Sequence, residues 1–285
     1  MNIMFKRRII MNNTKKRYLT SVFLILIVLT FVVPYSFADD QEARAIMEKV
    51  DARDDGNNQV SDMEMILIDK KGKERIRKIH TLSKDKGEDT LRLMFFLHPA
   101  DVKDTAFLTF DYDDSDKDDD QWLYLPALRK TKRIASTDKS GSFMGSDLTY
   151  SDMTSRNLED YDYTFYEKAK EKEVNGIKTW VIWSVPRSKD IIEETGYEKS
   201  LLFVRQDNFF VIRALHWVRD GGYKKYMDIK KLDLIDGIWV ATEMHIKKTK
   251  GKNTVHKTIL NFSKVKFNQG LEFDLFSVRR MEKGL

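Results

Sequence analysis

The chain has 285 residues, with 50 Lys+Arg against 45 Asp+Glu and no cysteine. Six of the bases and none of the acids precede residue 39, so the remainder holds 44 bases against 45 acids, net −1, and lacks the overall basic field of a nucleic-acid binder. Absence of cysteine excludes disulfides, a thiol nucleophile, a Cys-based metal site and a lipid-modified cysteine. The 247 residues beyond position 38 must therefore rely on one large core, which they are numerous enough to bury.

In chain order, Lys6, Arg7, Arg8, Lys15, Lys16 and Arg17 form a basic head. An apolar run from Leu19 to Val33 follows, interrupted by Thr20, Ser21 and Thr30, and Pro34 breaks it. Ser36 and Ala38 put small residues at the −3 and −1 positions of a cleavage site before Asp39. This is the layout of a secretory signal peptide, and the run is short for the roughly 20 residues of a membrane span. The expectation is a leader over 1–38, removed on export, ahead of a single domain over 39–285. Met11 is an alternative start, and an uncleaved N-terminal anchor is the competing reading.

Asp39 to Asp54 reads as a helix. Asp39 or Asp40 caps its start, and Ala43, Ile46, Met47 and Val50 recur at helical spacing. The period then changes to two: Met63, Met65 and Leu67 alternate with Asp62, Glu64 and Ile66. Lys70–Lys73 is a turn, Ile76–Leu82 a strand, Lys86-Gly87 a turn, and Leu91–Leu97 a strand. Further strands are predicted over Thr105–Phe110, Gln121–Leu125, Thr131–Ala135, Tyr161–Ala169, Lys178–Val185, Glu198–Arg205, Phe210–Arg219, Tyr223–Leu234, Trp239–Thr249 and Thr254–Phe267. Asn175-Gly176, Asp207-Asn208, Gly221-Gly222, Asp236-Gly237 and Lys250-Gly251 supply tight turns. Asp274–Arg280 reads as a closing turn or short helix. The series predicts a mainly β fold, a large curved antiparallel sheet with one wet and one apolar face. One helix covers the concave side only partly, which leaves room for an apolar cavity.

Three ordered segments carry a family resemblance. They are Phe96–Leu108 (FLHPADVKDTAFL), Asp120–Ile134 (DQWLYLPALRKTKRI) and Ser142–Met153 (SFMGSDLTYSDM). Together they resemble the outer-membrane lipoprotein-sorting family, the LolA-like periplasmic carriers, in the branch with the WLYLPALRKTKRI and FMGSDLTYSDM core. The resemblance implies a half-open antiparallel β-barrel whose apolar concave face holds acyl chains during transfer across the periplasm. It also implies a resistance-nodulation-division type exporter as a possible inner-membrane partner. Where the branch commonly has glycine after Val102-Lys103, this chain has Asp104, which tolerates unusual backbone geometry.

Each methylene of a lipid contributes about 0.8 kcal/mol on burial, so a carrier needs a wide apolar lining. Candidates for the lining or its lid are Phe95, Phe107, Leu108, Trp122, Tyr124, Leu125, Phe143, Met144 and Leu148; ordinary core packing is the alternative for each. Phe143 and Met144, beside Gly145, suit either a lid or a loop tucked into the core. Arg129 and Arg133 lie in the one concentrated basic run and suit contact with an anionic headgroup or an acidic partner. The alternative is a solvated strand edge that discourages aggregation.

Other constellations are weak. Asp111–Asp120 lacks the Gly and Glu spacing of an EF-hand, in either frame starting at Asp111 or Asp114, and reads as a solvated hairpin loop. His80, His98, His216, His245 and His256 show no HExxH pair, and there is neither a nucleophile elbow nor a P-loop. No catalytic, cofactor or metal residue is therefore assigned. The first expectation is a monomeric, exported carrier of lipid or lipoprotein acyl chains. An accessory subunit of an envelope exporter comes second and a hydrolase a distant third.

Overall fold

The computed structural model describes residues 39–285. The predicted leader lies outside the described residues. Helix α1 (Gln41–Asp51) is followed by strands β1 (Asn58–Asp69), β2 (Glu74–Lys86), β3 (Asp89–His98), β4 (Ala106–Asp111), β5 (Asp120–Leu125) and β6 (Lys130–Arg133). After a long irregular connection come β7 (Tyr161–Phe165), β8 (Glu171–Val174), β9 (Ile177–Pro186), helix α2 (Lys189–Thr195), β10 (Tyr197–Arg205) and β11 (Val211–Val218). The chain ends with β12 (Tyr223–Ile235), β13 (Ile238–Lys250), β14 (Asn253–Phe267) and helix α3 (Val278–Lys283).

All fourteen strands join one antiparallel sheet in the order β6-β5-β4-β3-β2-β1-β14-β13-β12-β11-β10-β9-β7, with β8 also on β9. Two meanders, β1–β6 and β9–β14, are thus stitched together through β1 and β14, and the sheet does not close into a barrel. Its free edges are β6 on one side and β7 with β8 on the other. The connection between them, residues 134–160, runs from one edge to the other, and we call it the strap.

Directly opposed residues of an antiparallel sheet share a face. One such row crosses seven strands: Leu67, Thr258, Ile246, Met227, Ala214, Leu202 and Ile182. It defines the inner face. Helix α1 covers the half of this face built from β7 and β9–β11. Its buried stripe Ala43, Ile46 and Met47 packs on Tyr161, Tyr163, Ile182, Leu202 and Val204. The predicted cap is Asp40, whose carboxylate accepts the N–H groups of Glu42 and Ala43 at 2.9 and 3.1 Å. The strap covers the other half. On the outer face of β2–β5, Phe276 and Met281 pack on Leu91, Leu93, Phe95 and Leu108. All four hydrophobic clusters are built from residues within 43–281, so residues 39–285 carry their own core.

The strand series agrees with the sequence pattern, with one break. The single strand expected over Tyr161–Ala169 ends at Phe165, and β8 resumes the same edge of β9 at Glu171, past the expected end. Asp104 adopts the left-handed φ of 64° expected of the glycine it replaces, and its N–H donates to Phe96 O at 2.8 Å. The expected open apolar cavity is not what the described residues show. The strap fills the concavity instead.

Candidate functional site

The inner face changes character along the strands. Two residues from the apolar row, a second opposed row runs Ser184, Ser200, His216, Lys225, Lys248 and His256, all polar. The strap meets both zones, with apolar side chains over the first and carboxylates over the second.

Over the apolar zone, Phe143 is fully buried, with ring centroids 5.0 Å from Phe107, 5.6 Å from Tyr150 and 6.2 Å from Phe96. Met63, Met65, Leu67, Met94 and Leu123 complete this floor, and Met144, Leu148 and Tyr150 flank it. Seven of the twelve methionines belong to this cluster, a concentration of flexible thioether chains that repack around varied shapes. Met144 (φ 49°) and Gly145 (φ 74°) make a left-handed reversal at the strap's tip.

The strap's short 3-10 turns and its Ser142–Thr149 bridge satisfy part of its backbone, and side chains of the sheet satisfy more of it. Arg77 donates to Met144 O, Gln121 Nε2 to Tyr150 O at 2.9 Å, and Arg92 to Met153 O at 2.6 Å. Over the polar zone, the Asp147 carboxylate accepts from His256 Nδ1 and the Thr258 hydroxyl, both at 2.8 Å. The Asp152 carboxylate accepts from Thr149 N at 2.8 Å and from the Tyr197 hydroxyl at 2.7 Å, and lies 3.7 Å from Lys225 Nζ. Lys225 in turn donates to the Tyr197 hydroxyl at 2.8 Å. Buried Lys139 pairs with Glu194 of α2 at 2.6 Å.

Burial dominates the electrostatics of this zone. It would raise the Asp152 carboxyl, but Lys225 and Arg156 together outweigh it and hold the group below the usual carboxylate range. Burial and then the Arg156 charge push His216 down to about 3, so it is neutral while its Nδ1 meets the Ser200 hydroxyl at 2.7 Å. Burial likewise lowers Lys225 and raises Tyr197 well above the ordinary phenol range. A cavity of about 290 Å³ opens beside this network, bordered by Ser142, Ser146, Asp147, Tyr197, Lys225 and Lys248.

A second cleft, of about 720 Å³, lies beyond the strap's C-terminal part and is lined by twelve carboxylates against Lys117 and Arg156. The Asp111–Asp120 loop forms part of its wall. Burial raises Asp55, Asp85, Asp111 and Asp119 there. Among the described residues, no three His, Asp or Glu side chains gather as metal ligands.

The nine candidate lining residues do not share one face. Phe107, Leu125, Phe143, Met144 and Leu148 belong to the inner cluster. Phe95, Leu108, Trp122 and Tyr124 belong to the outer cluster beneath α3. The reason is the pleat: neighbours such as Phe107 and Leu108 point to opposite sides, and here both sides are covered. The two arginines are also separated. Arg129 is exposed in the β5–β6 turn with a left-handed φ of 48°, whereas Arg133, at the other end of β6, is bound by Asp120. Both lie at the terminal strand of the sheet, four residues long and three of them cationic, a composition that blunts a free edge against pairing. The groups that fix the strap, Asp147, Asp152, Tyr197, Lys225 and His256, were not among the sequence candidates. The available signal was Lys225, a charge at an inward position of a strand.

A family model described only as "Uncharacterized protein" matches residues 88–283. No curated protein matches the chain. Among solved structures, a domain from Vibrio parahaemolyticus described as an outer membrane lipoprotein-sorting protein is 30% identical, with a TM-score of 0.76 over 85% of this chain and 99% of its own. A DUF1329 family protein from Desulfovibrio piger is 28% identical, with a TM-score of 0.77 over 86% and 99%. A LolA superfamily protein from Nitrosomonas europaea is 18% identical, with a TM-score of 0.62 over 83% and 98%, and shares the fold. With its open antiparallel sheet and these relatives, the chain belongs to the LolA-like family of outer-membrane lipoprotein-sorting proteins.

Proposed function

We propose that this protein is a monomeric, exported carrier and not an enzyme. It binds the acyl chains of a lipid or lipoprotein on the inner face beneath the strap and moves them through the periplasm towards the outer membrane. One observation carries the reading: the methionine-rich inner face is covered by a strap of short turns held to the sheet through side-chain anchors, rather than by a long helix or a strand of the sheet. Phe107 and Leu125 belong to the floor, and Phe143, Met144 and Leu148 to the cover that cargo displaces. Displacing the strap uncovers Ile134, Phe143, Met144, Leu148, Tyr150 and Met153, and acyl methylenes, at about 0.8 kcal/mol each on burial, are what replaces those contacts. The Vibrio relative's description as a lipoprotein-sorting domain supports the same reading.

Native mass spectrometry of the protein purified from its own envelope tests this. A co-purifying lipid or acylated peptide, lost on Leu125→Asp substitution, is the expected result. A protein that emerges empty and bound to an inner-membrane exporter overturns the carrier in favour of an accessory subunit.

A further inference from the structure

Charge is distributed unevenly between the two ends of the sheet. Most of the acidic cleft's wall, from the β2–β3 turn and the β4–β5 loop, lies at one end, and α2 and the strap's C-terminal part complete it. At the other, the β1–β2 turn carries Lys70, Lys71, Lys73 and Arg75, and the β13–β14 hairpin carries Lys247, Lys250, Lys252 and Lys257. β1 and β14 are neighbours, with Ile68 opposite Lys257, so the two tips stand side by side. All eight cations are exposed, and none is ion-paired with a described residue. Two acids, Asp69 and Glu74, lie within this stretch, and the Asp69 carboxylate is occupied by the N–H groups of Lys71 and Lys73. This is also the end at which the strap's left-handed tip lies: an Arg75 guanidinium nitrogen is 4.0 Å from where a Cβ on Gly145 would be.

Exposed apolar side chains gather at the same end. Ile76 on β2, Leu97 near the end of β3 and Leu128 in the β5–β6 turn are 39%, 42% and 62% exposed. Two tyrosines lie among the lysines. Lys248 and Lys250 sit over the Tyr223 ring at 4.5 and 5.1 Å, and Lys247 over Tyr226 at 5.0 Å.

We propose that these paired hairpin tips are a docking surface for an anionic phospholipid membrane. Seven of the eight cations are lysines, point charges without the planar fork that matches a single carboxylate. They suit the diffuse negative potential of many headgroups better than a defined acidic protein site. Isolated exposed aliphatic side chains and tyrosines beside them suit the headgroup–acyl boundary. Docking through this end places the strap's tip against the lipid surface. The surface stands on its own chemistry and does not depend on which cargo the inner face holds.

The test is co-sedimentation of residues 39–285 with vesicles of phosphatidylcholine alone and of phosphatidylcholine mixed with phosphatidylglycerol, at low and high salt. Binding is expected to the mixed vesicles only, and to weaken at high salt. Each lysine near an anionic surface contributes roughly fivefold in partition. The combined Lys70→Gln, Lys71→Gln, Lys250→Gln and Lys252→Gln variant should therefore lose on the order of several hundredfold, with an unchanged melting temperature. A control with Lys86, Lys168, Lys172 and Lys178 changed to Gln, towards the other end of the sheet, should bind as the parent does. Equal partition into neutral and anionic vesicles overturns the proposal, as does equal loss in both quadruple variants. So does a protein that ignores both vesicles but is captured by a polyglutamate resin, which would mark an acidic-protein site instead.

Discussion

The two covers of the inner face solve one problem differently. Helix α1 satisfies its own backbone, so it needs only the apolar stripe of Ala43, Ile46 and Met47 and the Asp40 cap. The strap has only short turns and one isolated bridge, Ser142–Thr149, of its own, so it also borrows partners from β2, β3, β5, β10, β12 and β14 through Arg77, Arg92, Gln121, Tyr197, Lys225, His256 and Thr258. An irregular cover needs specific residues at many positions, whereas a helical cover needs a pattern. This explains why the FMGSDLTYSDM segment stands out in composition while the α1 sequence is ordinary. It also makes the strap the cover that can leave: lifting it breaks side-chain anchors to the sheet and leaves every strand pairing intact, and its own turns and the Ser142–Thr149 bridge can travel with it.

The comparison breaks most visibly at Asp152. Asp152→Ala leaves Lys225 buried without its carboxylate and should cost about 3–5 kcal/mol in urea unfolding. The Asp152→Ala/Lys225→Met double variant should recover most of that loss. A cost below about 1 kcal/mol for the single change would mean that apolar packing alone holds the strap. Next come the apolar contacts of each cover. Phe143→Ala should cost about 3–5 kcal/mol and Ile46→Ala about 2–5 kcal/mol, because both side chains are buried. Hydrogen exchange separates them: Phe143→Ala should speed exchange at strap amides below the global unfolding limit, while Ile46→Ala should act on α1 and its strands.

Asp147→Asn is the milder anchor test. It weakens the bonds to His256 and Thr258 and should cost about 1–3 kcal/mol. Acid distinguishes the buried polar row from the acidic cleft. His216 is depressed to about 3 in the fold, so between its ordinary value near 6.5 and about 3 the unfolded chain binds a proton that the native state does not. Stability at this site therefore falls as pH is lowered through that window, by up to about 1.4 kcal/mol per unit. His216→Gln should flatten that limb of a pH series of urea midpoints. The raised cleft carboxylates act in the opposite direction, destabilising above their folded values and relieved as pH falls through them. Asp119→Asn should give a small rise in melting temperature at neutral pH that disappears in acid.

How much of this was legible in the sequence depended on what each strand faces. β1 could be read directly, because Met63, Met65 and Leu67 face the strap while Asp62 and Glu64 face water. β3 and β4 could not be resolved into faces. Phe95-Phe96 and Phe107-Leu108 are apolar on both sides because α3 covers the outer face, and a strand covered twice loses its alternation. That is why four of the nine lining candidates fell on the wrong side of the sheet for the inner face. The Asp147 and Asp152 anchors join residues 45 to 111 positions apart through the register of β10–β14, and local pattern carries no trace of such pairings. The Asp39–Asp54 helix was legible because its stripe and cap are both local; only its ends moved, to Gln41 and Asp51.

The free edges have a mechanical consequence. A closed barrel has a radius fixed by strand number and shear. A sheet ending at β6 and β7 can change curvature without breaking any strand pairing, so its interior is compliant. The strap is tethered to both edges, and anything that spreads them draws it taut. A change in the sheet's curvature would thus be felt along the strap, at the Met144–Gly145 reversal.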